Sequence, residues 1–545
     1  MLRYFDSKLG KAVYPWLICM LPMLLAVYCC IIKSGGFVDE YFSLGFSNSI
    51  YGGYLIDSFD GNLLDKVITH DELENYIMVD EGEAFTYRHI FRNCGDDLTP
   101  PLYYCILHTI CSFFPGTISK WFGLSMNLVT YFITLLFLYH SSFLLHKSRW
   151  VSALITICYG FSMGGMNCAT YIRMYGMVTM WTVMLLFFII HVIQNERKKF
   201  AVVSGIVIYL GFLTQYNFGI PAFFLCAATC GVLLYQKRIK QLVVFGISGI
   251  SGAILFLLTW SSLLVQAERI APWEHENGKG DTGLFLSLYY WCKVISKQIG
   301  IELIILCVLI IGILILKYAT GTKISDLMTK LKGKNIIAAY VILLTGYIFG
   351  TIVIAYFAPY FSARYCFNTM PVFAMLLGLP LVLFKELLQK YFEKKDIHLS
   401  MNTVGAVIAL LVIISAARFD EMKYLYLDNP EKLRITESVA SHPCLFVNTN
   451  HDKSLINSID HLIKFNDFYV TDDPAAGEYK TYLEGHSDNE AVVVFVDTDP
   501  VGGSGLDSDE VIGSFVDTGL YDTVFVLYEL DSAKVFLLCN NDTVQ

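Results

Sequence analysis

Long apolar runs separated by short polar gaps fill most of the first 417 residues of this 545-residue chain. Examples are Val13 to Ile32, Leu242 to Leu264 and Ile336 to Phe357. Each is close to or above the length of about 20 residues that crosses a bilayer as a helix. Backbone polar groups in lipid must pair within their own segment, so these runs predict α-helices. The pattern therefore predicts an α-helical polytopic membrane protein.

Basic residues between the apolar runs predict the orientation of the chain. They cluster in alternate gaps, at 147–149, 197–199, 237–240, 317–334 and 385–395. Placing these gaps and the N-terminus in the cytoplasm satisfies the positive-inside rule. The arrangement predicts about eleven spans, at 13–32, 121–145, 151–167, 174–193, 200–215, 218–235, 241–264, 299–316, 335–357, 366–384 and 402–417. An odd number of spans leaves the C-terminal region outside the cytoplasm.

Composition excludes an ordinary soluble protein. The chain is 55% hydrophobic and 16% charged, with a mean hydropathy of +0.53, whereas soluble domains have about 45–50% apolar and about 25% charged residues. The first run follows Arg3, Lys8 and Lys11, as a signal peptide would. Its apolar stretch is longer than the about 7–15 residues of a signal sequence, and no small-residue cleavage site follows. We predict an uncleaved anchor.

The polar parts of the chain are one long external loop and a C-terminal tail. Loop 33–120 carries thirteen acidic residues between Asp39 and Asp97. Its stretch Pro101 to Phe114 is predicted to be an interfacial helix, because counting it as a span would place the later basic clusters outside. From about residue 418, β-rich runs alternate with amphipathic stretches, which predicts a small α/β domain. We predict a transmembrane domain at 1–417, loop included, and a soluble extracytoplasmic domain at 418–545.

Four polar segments lie on the predicted outer side, at span ends or in the loops between them. They are Val38-Asp39-Glu40-Tyr41, the stretch Gly95 to Tyr104 with its Pro-Pro-Leu-Tyr-Tyr, Tyr171-Ile172-Arg173-Met174-Tyr175, and Phe361-Ser362-Ala363-Arg364-Tyr365. Groups able to transfer protons and to bind anions are thus predicted to share one side of the membrane.

In its order of motifs the chain resembles the GT-C glycosyltransferases that use polyprenyl-phosphate sugars. This group includes the protein O-mannosyltransferases, the aminoarabinose transferases of lipid A and the bacterial RgtA/B/C/D-like proteins. The resemblance covers roughly residues 1 to 385 and rests on the early Asp-Glu, the Pro-Pro-Leu-Tyr-Tyr, the Arg-x-Tyr and the final Arg-Tyr. The chain departs from the family at Thr99, where His is common, at Tyr171, where an acidic residue is frequent, and at Asn127, the polar residue nearest to a position that often holds Arg.

The resemblance implies an enzyme of the outer face of a bacterial plasma membrane. It would transfer a sugar, with inversion, from a polyprenyl-phosphate donor to a hydroxyl of a glycan, lipid or protein acceptor. Membrane lipids are further expected partners. Binding of nucleic acid is not expected.

Such a reaction needs a base for the hydroxyl proton and cations for the departing phosphate. The resemblance and the loop position favour Asp39 as the base, with Glu40 beside it in the catalytic pair. Capping the start of a helix is the alternative role for both residues. Arg173 and Arg364 are the candidate phosphate ligands, since guanidinium offers paired donors and stays charged. Each arginine could instead anchor a span end by snorkelling to water.

Three further residues complete the predicted substrate site. Tyr175 and Tyr365 accompany the arginines in their motifs. Asp97 is predicted to orient the acceptor or to bind a metal with Asp39, and a helix N-cap before the Pro-Pro sequence is the alternative. No cofactor is predicted with certainty. A divalent cation is left open, although hard cations prefer about six oxygen ligands and two carboxylates supply few.

Two other classes of protein remain open. A transporter or flippase usually has ionisable residues inside its spans, and here the span interiors are nearly free of charge. A non-catalytic surface receptor would use the tail as its binding domain, and replacing Asp39 would then leave every glycan in place.

Overall fold

The computed structural model describes residues 8–194, 197–266, 268, 284–323, 335–358, 360–416, 422, 424–473, 479–485, 491–499, 506–517, 519 and 521–540. The chain divides into two compact units. The transmembrane unit comprises Met1–Ile31 and Leu124–Lys423, and the loop–tail unit comprises Ile32–Gly123 and Tyr424–Gln545.

The first half of the chain forms mostly long helices. In chain order these are α1 (Lys8–Ile32), α2 (Val38–Asn48), α3 (His70–Ile77), α4 (Arg88–Asp96), α5 (Leu102–Cys111), α6 (Lys120–His146), α7 (Arg149–Gly160), α8 (Met163–Thr170), α9 (Tyr175–Gln194), α10 (Lys198–Thr214), α11 (Gly219–Tyr235) and α12 (Ile239–Thr259). Short 3-10 turns lie at Leu55–Phe59, Glu81–Glu83 and Tyr216–Phe218.

The second half begins with long helices and ends in short ones. They are α13 (Leu284–Gln298), α14 (Gly300–Thr320), α15 (Ile336–Phe357), α16 (Met370–Leu376), α17 (Gly378–Lys395), α18 (Met401–Ser415), α19 (Asn429–Val439), α20 (Asp452–Asn457), α21 (Ile459–Leu462), α22 (Lys480–Glu484) and α23 (Ser508–Asp517). A 3-10 turn at Ala363–Thr369 precedes α16.

Eight helical segments among the described residues are long and apolar enough to cross a membrane, by length and composition. They lie at Ala12–Ile32, Lys120–His146, Tyr175–Gln194, Tyr216–Tyr235, Ile239–Thr259, Gly300–Thr320, Ile336–Phe357 and Ala363–Lys395. The multi-span helical class predicted from the sequence is confirmed. The count of eleven stays a prediction, because three of the predicted spans fall on the bent pair α7–α8 and on the shorter helices α10 and α18.

The bent pair α7 and α8 breaks at a serine. The two helices meet at 62° and would count as a ninth span if taken together. Ser162 is the N-cap of α8, and its hydroxyl accepts the N–H of Gly165 at 3.1 Å. Such a cap satisfies a backbone donor that the preceding helix no longer pairs, so a second helix can start in a new direction.

The loop–tail unit is built around a six-stranded mixed sheet. Its strands are β1 (Lys66–Thr69), β2 (Cys444–Val447), β3 (Asp467–Thr471), β4 (Ala491–Asp497), β5 (Thr523–Glu529) and β6 (Ala533–Cys539), in the order β1-β3-β2-β4-β6-β5. Strand β2 pairs in parallel with β3 and β4, and the other pairings are antiparallel. Every residue of β2 and β4 is buried, as expected for central strands covered on both faces. The α/β domain predicted for the tail is confirmed.

The first loop contributes one strand to the tail's sheet. Lys66–Thr69 pairs with Asp467–Thr471, with Lys66 opposite Val470 and Thr69 opposite Asp467. The predicted division instead assigned the whole loop to the transmembrane domain. Period-two patterning cannot reveal which distant strand a four-residue segment will join. The predicted boundary at 417/418 lies next to residues 417–421, outside the described part of the chain.

The predicted interfacial helix is α5, and it is a packed helix of the loop–tail unit. Tyr103, Tyr104 and Leu107 are fully buried. The Tyr104 ring lies 5.7 Å from that of Phe46 on α2. One face of this helix therefore packs in a protein core, whereas Phe113 and Phe114 at the end of the predicted stretch are exposed. Its location at a membrane surface stays a prediction.

Candidate functional site

Two of the predicted segments meet in the transmembrane unit and form an arginine–tyrosine cluster. It consists of Tyr171, Arg173, Tyr175, Arg364 and Tyr365. Arg364 Nη1 donates to the Tyr171 hydroxyl at 3.2 Å, across 193 residues of sequence. The Tyr171 and Tyr175 rings stack at 6.0 Å, and the Tyr175 and Tyr365 rings meet edge to face at 6.2 Å. The third and fourth predicted segments are thus brought together.

Breaks in the helices place the first segment of this cluster. Helix α8 ends at Thr170 and α9 begins at Tyr175, so the residues between them form a turn. The Arg173 N–H donates to the Tyr171 carbonyl at 2.8 Å. The Asn127 amide also donates to that carbonyl, from the third turn of α6. Asn127, noted in the sequence as a departure from the family, therefore holds the turn that carries Arg173.

A 3-10 turn places the second segment. Arg364 lies in the turn Ala363–Thr369, and its guanidinium lies over the Tyr365 ring at 5.3 Å. The Asn217 amide donates to the Tyr365 carbonyl at 2.6 Å. Both arginines are half-buried. A guanidinium held by rings and partly open to solvent can bind phosphate oxygens through paired donors.

The first predicted segment lies at the start of α2 in the loop–tail unit. Asp39 and Glu40 occupy the first turn of this helix, where negative charge is stabilised. Glu40 is 2% exposed, and its Oε2 accepts the Lys33 ammonium at 2.9 Å and the Phe37 N–H at 2.7 Å. Lys33 also donates to the Tyr424 carbonyl of the tail. The Glu40 carboxylate thus joins a buried ion pair and a helix cap, which favours a supporting role, whereas Asp39 is half-buried.

The second predicted segment contributes Asp97, which lies beside Tyr54. The Tyr54 hydroxyl donates to Asp97 Oδ1 at 2.9 Å. The N-cap alternative for Asp97 is wrong, because Asp97 follows the end of α4 and the N-cap of α5 is Pro101.

Tyr54 contacts both Asp97 and the face of α2 that carries Asp39. Its ring lies 5.4 Å from the rings of both Phe42 and Phe46. Residues 39, 42 and 46 follow helical spacing and share one face of α2. The two carboxylates, Asp39 and Asp97, are therefore associated with the same face of that helix.

Burial shifts the pKa values of Tyr54 and His108 in the loop–tail unit. Burial and the nearby Asp97 carboxylate hold the pKa of the Tyr54 hydroxyl well above its usual range, so it stays a hydrogen-bond donor. Burial and the neighbouring His89 lower the pKa of His108 to about 4. The His89 and His108 rings lie 5.0 Å apart on α4 and α5. Both histidines pack inside the loop–tail unit, where His108 Nδ1 lies 3.3 Å from Asn48 Oδ1.

A group of three side chains that could hold a cation lies elsewhere on the unit, at the start of α3. The ligand atoms of His70, Asp71 and Glu74 lie within 4.8 Å of one another on α3, and Asp71 is exposed. Within the described residues, Asp39 and Asp97 belong to no such group of three. The residues around Asp39 therefore do not fit a dedicated cation cage, and the divalent cation stays open.

Asp39, Glu40 and Asp97 form what we call the acidic cluster. Sequence reasoning missed three residues around it, namely Lys33, Tyr54 and Asp452, whose carboxylate accepts the Ile56 N–H in the turn that follows Tyr54. Lys33 could have been suspected, since a lysine seven residues before a buried glutamate can reach it, but burial is not visible in the sequence. Tyr54 and Asp452 have no local signal. They reach the cluster only because the first loop folds together with the tail.

No protein-family model matches the chain. Among curated proteins, the chain is 26% identical over 172 residues to the undecaprenyl phosphate-alpha-4-amino-4-deoxy-L-arabinose arabinosyl transferase of Yersinia pestis, covering 29% of this chain and 30% of that protein. The protein of the same name from Yersinia enterocolitica is 23% identical over 172 residues. The chain thus matches about a third of the length of these relatives. They confirm the resemblance read from the motifs, which included the aminoarabinose transferases.

Two kinds of solved structure are similar to the chain. ArnT of Cupriavidus metallidurans, bound to undecaprenyl phosphate, aligns over 97% of this chain and 98% of its own, with 9% identity and a TM-score of 0.47. The oligosaccharyltransferase of Archaeoglobus fulgidus, in complex with zinc and sulfate, covers 88% of this chain and 68% of its own, with 11% identity and a TM-score of 0.42.

Proposed function

We propose that the chain is an integral membrane glycosyltransferase that moves a sugar from a polyprenyl-phosphate donor to a hydroxyl of a cell-envelope acceptor. The observation that carries this proposal is the arginine–tyrosine cluster, in which Arg364 and the turn of Arg173 come together from distant parts of the sequence. The resemblance and the relatives named as undecaprenyl-phosphate sugar transferases support the same chemistry.

The reaction forms one bond and breaks one bond. The acceptor hydroxyl oxygen attacks the anomeric carbon as the bond from that carbon to the phosphate oxygen breaks. The hydroxyl proton passes to the Asp39 carboxylate, and the polyprenyl phosphate leaves with the bonding electron pair. Attack opposite to the leaving group inverts the anomeric configuration.

Arg173 and Arg364 stabilise the charge that develops on the departing phosphate. Fixed cations aimed at developing charge are often the largest catalytic contribution. Asp39 supplies general-base assistance, which is typically worth about 10²–10⁴ in rate. Tyr175 and Tyr365 keep the arginine-bearing turns in register, and Asp97 orients the acceptor.

The proposal places these groups on the outer face of a bacterial plasma membrane, with the N-terminus in the cytoplasm. The basic clusters in alternate gaps support this orientation. The variant Arg92→Cys, in a chain whose native cysteines are replaced, should react with a membrane-impermeant maleimide in intact cells, because position 92 is exposed. Labelling only after lysis would contradict the orientation.

The function is tested with the purified full chain in liposomes. Undecaprenyl phosphate carrying tritiated glucose, mannose, galactose or 4-amino-4-deoxyarabinose is supplied separately, together with envelope extract as acceptor. We expect at least one donor to give a labelled product of inverted configuration and free undecaprenyl phosphate. Movement of the donor across the bilayer without bond transfer would instead indicate a flippase, and no change in any donor would indicate a receptor.

A further inference from the structure

The tail contacts the acidic loop at the edge of its sheet where α/β proteins usually bind ligands. In such sheets, ligands occupy the crevice beyond the carboxyl ends of parallel strands. Here the residues that follow β2, from Asn448 to Asp452, contact the first loop of the same chain instead. Asn448 shapes this connection, because its Oδ1 accepts the His451 N–H at 3.0 Å and its amide donates to the His451 carbonyl at 2.6 Å.

Two side chains of this connection bind backbone groups of the loop. Asn450 Oδ1 accepts the Leu63 N–H at 2.7 Å, and its amide donates to the Gly61 carbonyl at 3.4 Å. Asn450 has a φ of 61°, a left-handed conformation that Asn tolerates better than most residues. Asp452 Oδ2 accepts the N–H of Ile56 at 3.5 Å, and the nearby Leu55 N–H also favours the ionised carboxylate.

These contacts lead directly to the acidic cluster. Leu55 and Ile56 begin the 3-10 turn Leu55–Phe59, whose N-cap is Tyr54. The Tyr54 N–H donates to Asp57 Oδ2 at 3.2 Å within the same turn. Through its hydroxyl Tyr54 holds Asp97, and through its ring it packs on Phe42 and Phe46 of α2. Asp452 is thus two contacts away from the carboxylate of Asp97.

We propose that Asp452 is a positioning residue for sugar transfer, by which the tail fixes the Tyr54 turn and so holds Asp97 against the Asp39 face of α2. The role rests on the proposed function. It assigns the tail to bracing the acidic loop, since the residues that follow β2 bind the backbone of that loop.

The protonation of Asp452 is consistent with this role. Burial and the facing Asp57 carboxylate raise the pKa of Asp452 to about 6. At pH 7 the group is therefore mainly ionised and accepts the Ile56 N–H as a charged acceptor, which makes a stronger hydrogen bond than a neutral one.

The test compares Asp452→Ala, Asp452→Asn and a control in the full chain. Asp499→Ala is the matched control, because Asp499 is a tail carboxylate that pairs with Lys453 at 2.5 Å. We expect Asp452→Ala to raise amide hydrogen exchange at Leu55 and Ile56 by about 10- to 100-fold, and to lower kcat by about 10-fold or more with an unchanged KM for the donor. Asp452→Asn keeps one acceptor oxygen and should recover most of the lost rate.

The outcomes separate this proposal from the proposed function. If amide hydrogen exchange at Leu55 and Ile56 is unchanged in Asp452→Ala, Asp452 does not fix the Tyr54 turn, whether or not sugar is transferred. An equal fall in kcat for Asp499→Ala, or a loss confined to KM, would also overturn the role proposed for Asp452. If the unaltered chain transfers no sugar from any donor, the proposed function fails, and the exchange measurement still decides whether Asp452 holds the turn.

Discussion

The two clusters differ in how their charged groups are held. In the transmembrane unit, Arg173 and Arg364 lie on short turns between helices and are half-buried, and the Arg364 guanidinium lies over the Tyr365 ring. In the loop–tail unit, Glu40 is fully buried in an ion pair with Lys33, and Asp97 is held through a turn that the tail binds. The two arginines lie on turns and are partly exposed to solvent, whereas Glu40 and Asp97 are built into a folded domain.

This contrast predicts where substitutions should act. Removing a half-buried arginine should weaken ligand binding and cost the fold less than breaking a buried ion pair, because its position is already partly hydrated. Removing a partner of a buried carboxylate should weaken the fold first, because the remaining charge cannot be solvated.

The largest expected effect comes from breaking the buried ion pair. Lys33→Ala leaves Glu40 without its ammonium partner, and breaking such a pair typically costs about 3–5 kcal/mol. Amide hydrogen exchange along α2 should show this loss of local stability. Lys432→Ala is the matched control, since its pair with Asp428 is partly exposed and such pairs contribute about 0–1 kcal/mol. If the two variants lost the same local stability, the Lys33–Glu40 pair would be no more important to the fold than an exposed pair.

The next effect concerns binding by the arginine–tyrosine cluster. Arg364→Ala should weaken binding of undecaprenyl phosphate by about 10- to 100-fold, since hydrogen bonds to charged groups contribute about 1.5–3 kcal/mol. Isothermal titration in detergent measures this, and the melting temperature should stay the same. Arg92→Ala, in the exposed part of α4, serves as control. Binding that is equally weak in both variants would show that the phosphate does not contact Arg364.

Substitutions at two glycines test whether α2 is tightly packed. A Cβ on Gly45 would lie 2.2 Å from the ring of Tyr76, which is buried and donates to the Gly53 carbonyl. Gly45→Ala should therefore lower the free energy of unfolding by about 1–3 kcal/mol. Gly513→Ala, on α23 with no atom within 4 Å, should instead raise it by about 0.5–1 kcal/mol. Chemical denaturation followed by circular dichroism compares the two, and a stabilising Gly45→Ala would contradict the packing.

The smallest effect is a pH dependence of the loop–tail unit. The pKa of His108 falls from 6.5 to about 4 on folding, so the unfolded chain binds more protons between these values. The stability that this group contributes is complete above pH 6.5 and is lost as pH falls towards 4, by less than about 1 kcal/mol between pH 7 and pH 6.

The raised pKa of Asp452 acts in the opposite direction, because the folded state retains that proton up to about pH 6. The measurement therefore compares the unaltered chain with His108→Gln, which removes the histidine alone. A larger acid loss in the variant than in the unaltered chain would contradict the assignment.

The helical class and the arginine motifs could be predicted from the sequence because both are local. An apolar run long enough to span a bilayer can be recognised without knowing the rest of the fold. Likewise, Arg173-Met174-Tyr175 and Arg364-Tyr365 are short motifs whose residues are neighbours in the sequence. The apolar stretch of α5 was ambiguous, since a buried helix and an interfacial helix have the same composition. The pairing of Lys66–Thr69 with Asp467–Thr471 and the contact of Asp452 with Ile56 join residues some 400 positions apart, and no local pattern specifies such contacts.

The central claim is that Asp39 accepts the acceptor's proton during sugar transfer. The most direct measurement is the rate at which Asp39→Asn transfers the labelled sugar from its undecaprenyl-phosphate donor, with binding of undecaprenyl phosphate measured on the same preparation. The account predicts a fall of about 10²–10⁴ in kcat with unchanged binding. A variant that binds the lipid and transfers sugar at the rate of the unaltered chain would contradict it.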